Sequence, residues 1–305
     1  MTERPTIRPV TLPRLVELTN ACETDAMATE HLETALDVSH RRARETILEA
    51  VRIGLLCEQT RENDGEHEPE YATTEIGSEF LEAVYAKEWR HVSEILQTNS
   101  PHYGAFLEAV AAVGPTKPGD VLDTLEAEHD GSRYDFNQTS IDVIGDWGER
   151  LGAIQRNAFT GSYYRTTQAE THSEFQDVLL SVFDELEETA GVNLSQRYLS
   201  IPKLREYTCE QLQCTRRVFD DALLVLARQN VGRVELSGAP MDTGAKDAAL
   251  GIKQIELAPE GRLVSTDQST ERVMTGVEQH GKQYYYLAVH DRALDYNPTD
   301  EFSDK

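Results

Sequence analysis

Two clusters of basic side chains stand out in a chain whose 54 acidic and 29 basic residues give a formal charge of -25. In the first, Ser39 precedes His40, Arg41, Arg42 and Arg44, and residues 37–53 hold four arginines against three acids. In the second, Lys203 and Arg205 precede Thr215, Arg216 and Arg217, and residues 201–233 hold six basic residues against four acidic ones. Arginine presents a planar fork of donors that matches a phosphate, or the major-groove edge of guanine, at two points. Serine and threonine are the residues that begin helices, so both clusters are expected on the first turns of helices. The chemistry expected of these ten residues is therefore contact with the phosphates and base edges of double-stranded DNA.

Other chemistries find less support. Cys22, Cys57, Cys209 and Cys214 fit reduced thiols better than a disulfide framework. Cys209 and Cys214 are not followed by a second Cys or His pair of metal-ligand spacing, so they read as small apolar core residues. The nine histidines form no metal motif, and no glycine-rich phosphate loop, nucleophile elbow or dinucleotide fingerprint occurs. Tyr163, Tyr164 and Tyr284 to Tyr286 raise the idea of a DNA-cleaving tyrosine, but such an enzyme also needs an acidic metal-binding domain, and the tyrosines read better as strand residues. The chain is thus expected to be no enzyme and to need neither cofactor nor metal.

The basic clusters must be positioned by helices. Leu12, Leu15, Val16 and Leu18 fall at helical spacing, as do Ala28, Leu32, Ala35 and Leu36. Asp37-Val38-Ser39 breaks the second run, and Ala43, Ile47, Leu48 and Val51 form the inward face of a third helix closed at Gly54. Leu55 to Gln59 and Tyr71 to Thr73 read as strands around the polar run TRENDGEHEPE, with one further helix over 75–98. In the middle of the chain, Tyr103 to Val113, Val121 to Glu128 and Ser140 to Leu151 read as helices. Of the third, Ile141, Ile144, Trp147 and Leu151 face inward, and Ala153 to Arg165 forms a ribbon with Gly161 at its tip. There Arg150, Arg156 and Arg165 are balanced by Asp142, Asp146 and Glu149.

Towards higher numbers, Phe175 to Ala190 is amphipathic, Ile201-Pro202 opens another helix, and Thr215 caps one bearing Phe219, Leu223, Leu224 and Leu226. Val234 to Leu236 and Ile252 to Leu257 are expected to pair across a Gly-rich loop. Residues 272–290 read as a hairpin turning at His280-Gly281, and 291–305 as a polar, acidic, disordered tail.

The stretches EHLETALDVSHRRARETILEAVRIGLL and YATTEIGSEFLEA resemble the winged helix-turn-helix superfamily, as, more weakly, does IPKLREYTCEQLQCTRRVFDDALLVLARQNVGRVEL. The resemblance implies a mainly α fold with small β-hairpin wings (α+β), built as three winged helix-turn-helix domains in tandem: 1–100, 101–170 and 171–290. It implies a DNA-binding protein, first a transcriptional regulator. The alternative is a non-catalytic DNA-binding or docking subunit of a DNA-processing, replication or defence complex. A homodimer is expected to use the helices over 75–98 and 173–190.

The composition, acidic with only seven lysines among its basic residues, resembles proteins of salt-loving archaea. In molar salt the Debye length is about 3 Å, so local surface charge, not the total of -25, decides what binds. No apolar run is long enough to span a bilayer, and MTERPTIRPV lacks the apolar core of a signal peptide, so no membrane partner and a cytoplasmic location are expected.

Overall fold

The computed structural model describes residues 5–60, 69–166, 172–189, 198–238, 248, 250–257 and 263–298. The fold is mixed, mainly helical with small antiparallel sheets, as expected for α+β. It divides into two compact units, 1–154 with 253–267, and 155–252 with 268–305. The boundaries expected from the sequence lie at 100 and 170.

The first unit opens with α1 (Leu12–Ala21), β1 (Met27–Ala28), α2 (Thr29–Leu36), α3 (His40–Arg52), β2 (Leu56–Thr60) and β3 (Pro69–Thr73). On α3, Ala43, Thr46, Ile47 and Ala50 recur at helical spacing and are buried, so one stripe faces the core made with Leu15, Leu18 and Leu32. The strands lie in the order β1-β3-β2, Met27 opposite Tyr71 and Cys57 opposite Ala72. The tip of this ribbon, residues 61–68, lies outside the described residues. A side chain at Gly77 would bring its Cβ to 2.2 Å from the Leu55 carbonyl, so the start of the next helix packs on the α3–β2 turn only as glycine.

That helix, α4 (Glu75–Tyr85), and α5 (Trp89–Asn99) replace the single helix expected over 75–98. Lys87 adopts φ 60°, and the Glu88 amide bonds back to the Ala83 carbonyl, ending α4 and turning α5 so that Val92, Ile95 and Leu96 are buried. Next come α6 (Pro101–Val113), α7 (Pro118–Glu128) and α8 (Gln138–Arg150). These helices share the first unit's core, which is why no boundary falls at residue 100. Ser100 ends α5 and also caps α6, the Ser93 and Tyr103 hydroxyls bond at 2.8 Å, and Trp147 Nε1 donates to the Val10 carbonyl at 3.0 Å.

Next in the chain, β4 (Ile154–Arg156) pairs with β5 (Tyr163–Arg165), with Gly161 at φ 76° in the connection. The second unit continues with α9 (Phe175–Thr189), β6 (Tyr198–Ser200), α10 (Ile201–Leu212), α11 (Arg216–Gln229) and β7 (Val234–Ser237). After β7 come β8 (Ile252–Leu257), β9 (Leu263–Ser269), α12 (Thr270–Val273), β10 (Val277–Gln279), β11 (Lys282–Tyr284) and β12 (Tyr286–Val289).

The partner of β7 is β12, not the expected Ile252 to Leu257, and the sheet runs β6-β12-β7. The central strand of a sheet must be apolar: Leu287 and Ala288 are fully buried, whereas no residue of β8 is buried, and β8 pairs with β9. β10 and β11 join through His280 and Gly281 at φ 51° and 71°, the two-residue turn expected from the sequence. Residues 291–298 are not a loose tail, since Leu294 and Tyr296 pack on the core. The remainder of that expected tail, 299–305, lies outside the described residues.

Candidate functional site

In both units the first basic side chains follow a short turn between two helices. In the first unit, Asp37 ends α2 in the left-handed region (φ 50°, ψ 53°), Val38 N bonds to the Glu33 carbonyl, and Ser39 begins α3. Ser39 is exposed and its hydroxyl caps nothing. His40 is exposed and its Nδ1 meets Glu33 on α2, which ties the two helices across the turn.

At 100° per residue, Arg41 falls opposite the buried stripe of α3, with Arg44 and Arg42 to either side. All three are exposed, and among the described residues none is paired with a carboxylate. The acids of the same helix are neutralised from elsewhere: Glu45 meets Arg8 at 3.3 Å, and buried Glu49 is held by Arg8 and Arg52. Burial pushes the Glu49 carboxyl upward, and the two arginines oppose that rise. The outward face of α3 therefore carries a local positive charge that its own acids do not cancel. Arg44 also lies near Tyr71 of β3, where it partly offsets the upward push of burial on the phenol.

The second unit uses the same turn differently. Gln213 ends α10 at φ 50°, ψ 40°, and Thr215 caps α11 by accepting from the Val218 amide at 3.3 Å. Arg216 turns inward, Nη2 donating to Glu206 Oε2 at 2.7 Å and to the Arg156 carbonyl at 2.8 Å, while Nε meets Glu206 Oε1. Arg205 is 3% exposed, with Nε on Asp220 at 2.6 Å and Nη1 on the Thr275 carbonyl at 2.9 Å. Burial raises Asp220 to about 6 against the opposing pull of Arg205.

The expectation that Arg205 and Arg216 lie on an exposed face is thus corrected: both are internal braces. Lys203 is half-buried, and Arg217 alone of the α11 pair is exposed, its side chain 90% accessible and 3.6 Å from Asp221. On α11, Ala222, Leu223, Leu224, Val225 and Leu226 are all buried, and five consecutive residues sweep more than a full turn. Over these residues the helix is enclosed, while Asp221 before them and Arg228 after them are exposed.

In the sequence Glu206 and Asp220 stand out only as charges opposing the basic cluster. Glu206 lies ten residues before Arg216, and Asp220 fifteen after Arg205, so no local spacing rule shows either pair. Next to them, Asn157 accepts from the Phe159 and Thr160 amides and donates to the Glu206 carbonyl, fixing the β4–β5 connection on α10.

Elsewhere, Trp147 is fully buried, and Arg150 bonds Asp146 at 2.8 Å and the Gln254 carbonyl at 3.0 Å. The four cysteines are free, and buried Cys209 and Cys214 stand 3.8 Å apart. Among the described residues no helix is long and apolar enough to cross a membrane. Comparison with protein-family models and with curated proteins gave no match.

Proposed function

We propose that the chain binds double-stranded DNA through α3, as a sequence-reading transcriptional regulator. The order helix, strand, two helices across a tight turn, then two strands over residues 12–73 supports a winged helix-turn-helix with α3 as recognition helix. The same order over 175–289, with a long insertion between its last two strands, supports a second module; α6 to β5 share with it three helices followed by two paired strands, with nine residues rather than a tight turn between α7 and α8, and are taken as a third. The observation that carries the reading is the face of Arg41, Arg42 and Arg44, exposed and without carboxylate partners among the described residues. At a helix start such arginines reach base edges and phosphates, and at high ionic strength the remainder of the chain's charge is screened.

The test is selection from a random-sequence duplex library in molar salt, with the parent and with Arg41→Ala, Arg42→Ala, Arg44→Ala combined. Enrichment of one motif by the parent and its loss in the variant is expected. If the parent enriches no motif, the regulator reading fails.

One observation favours a second reading, a non-catalytic subunit of a DNA-processing, replication or defence assembly. The second unit buries α11 over residues 222–226 and spends Arg205 and Arg216 internally, which suits a docking module better than a second reader. Under that reading the parent retains duplexes in the same selection without sequence preference.

A further inference from the structure

The last described segment lies along the C-terminal end of α11 in a regular manner. Arg233 Nη1 donates to the Ala293 carbonyl at 2.6 Å. Asn230 donates to the Asp295 carbonyl at 2.7 Å and accepts from the Asp295 amide at 2.8 Å. Gln229 repeats this with Asn297, donating at 3.0 Å and accepting at 2.9 Å. Every second residue is thus read through its backbone, as one strand reads another, with two carboxamides standing in for a strand edge.

The residues between are read through their side chains. Leu294 and Tyr296 pack on the second unit's core, the Tyr296 ring 5.5 Å from Phe175, while Ala293, Asp295 and Asn297 are exposed. Asn230 is itself held, since its Nδ2 also donates to the Leu226 carbonyl at 2.8 Å. Backbone contacts at one parity and apolar pockets at the other are the recognition chemistry of an extended peptide, not of a chain end resting on a surface.

We propose that this face of the second unit is a docking site for an extended apolar-x-aromatic segment, and that its partner in trans is residues 293–297 of a second copy. The segment whose chemistry fits the site is the one seated on it, so a second copy supplies a matched ligand with no change to the groove. Within one chain the segment follows β12 directly, and its high effective concentration keeps the site filled in cis. Exchange between copies follows when the segment of one chain is released.

Two complementary full-length variants test this. Leu294→Ser with Tyr296→Ser empties the groove and leaves it intact; Gln229→Ala with Asn230→Ala disables the groove and frees the segment. Each alone is expected to sediment as the parent does, and an equimolar mixture to form a complex of one copy of each. A mixture of two folded variants that sediments as the sum of its parts overturns the proposal. If the first variant does not melt cooperatively, Tyr296→Ser alone replaces it. Independently, the Asp295 and Asn297 amides of the parent are expected to exchange at least tenfold more slowly than that of exposed Arg292, and equal rates overturn the clamp itself.

Discussion

The helix pairs α2–α3 and α10–α11 share a turn, each with a left-handed residue closing the first helix and an extended Ser or Thr opening the second. They differ in what lies outside the second helix. Around α3 the acids are drawn off by Arg8 and Arg52, and the arginines of the first turn face solvent. Around α11 the residues between β7 and β12 include β10, whose Val277 joins the same core, and Thr275, which takes up Arg205. Equal local sequence chemistry therefore gives opposite availability of charge, decided by packing from residues far along the chain.

The largest effect expected from this contrast is on stability. Arg216→Ala leaves Glu206 buried without its cationic partner, a loss of about 3–5 kcal/mol in denaturant unfolding of the second unit. The same experiment on Arg41→Ala is expected to move stability by under about 0.5 kcal/mol, as for an exposed side chain. A small loss at Arg216 would mean that its pairing does not separate the two helices.

In DNA binding the ranking reverses. Each of Arg41, Arg42 and Arg44 that meets a base edge is expected to contribute about 1–3 kcal/mol of discrimination, read by competition between matched and mismatched duplexes. An arginine that meets only phosphate lowers affinity for all sequences and reduces the salt slope by about 1.

Acid is expected to separate the units further. His102 is buried, and its Nε2 lies 2.8 Å from the Pro5 carbonyl and 3.3 Å from the Asp135 carbonyl, both acceptors, so Nε2 carries the proton. Burial lowers its pKa to about 4, below the ordinary value of 6.5, so the unfolded chain binds the extra proton first. Its contribution is complete above pH 6.5 and is lost as pH falls towards 4, with a slope of at most about 1.4 kcal/mol per pH unit. Asp220 has the opposite sense: raised from 3.8 to about 6, its contribution is complete below the lower value and is lost as pH rises through the higher. Hydrogen exchange between pH 4 and 6.5 should show His102→Gln flattening the slope in the first unit and Asp220→Asn flattening an opposed slope in the second. Unchanged slopes would remove these two groups from the comparison.

The smallest effect concerns the caps. Thr215→Ala removes a real cap bond and is expected to cost about 1 kcal/mol, whereas Ser39→Ala removes none and should be nearly neutral in thermal unfolding. Equal losses would contradict the difference in geometry.

Helices with one apolar stripe were legible in the sequence because burial on one face leaves a 3.6-residue signal, α8 down to its inward residues; on α3 Ala43 and Ile47 are buried as expected, but Leu48 and Val51 are half-buried and Thr46, Glu49 and Ala50 complete the stripe. The break at Lys87 was not, since neither Gly nor Pro marks it and the apolar spacing runs through. The return strand of β7 was misplaced because it lies some fifty residues away, beyond two ribbons with strand-like patterns of their own. For the site, charge type and helix position were legible, but availability was not. Arg41 and Arg216 look alike in sequence, and only the folded partners of Arg216 distinguish them. The ordered segment 291–298 was hidden by its polar composition, because much of what holds it is backbone bonding to Gln229, Asn230 and Arg233.

The most direct measurement is a salt titration of duplex DNA binding by three full-length proteins: the parent, the Arg41→Ala, Arg42→Ala, Arg44→Ala variant, and Arg217→Ala. If α3 is the reading helix, the triple variant loses affinity and its salt slope falls by up to about 3, while Arg217→Ala follows the parent. A triple variant that binds as the parent does, or a loss confined to Arg217→Ala, would contradict it.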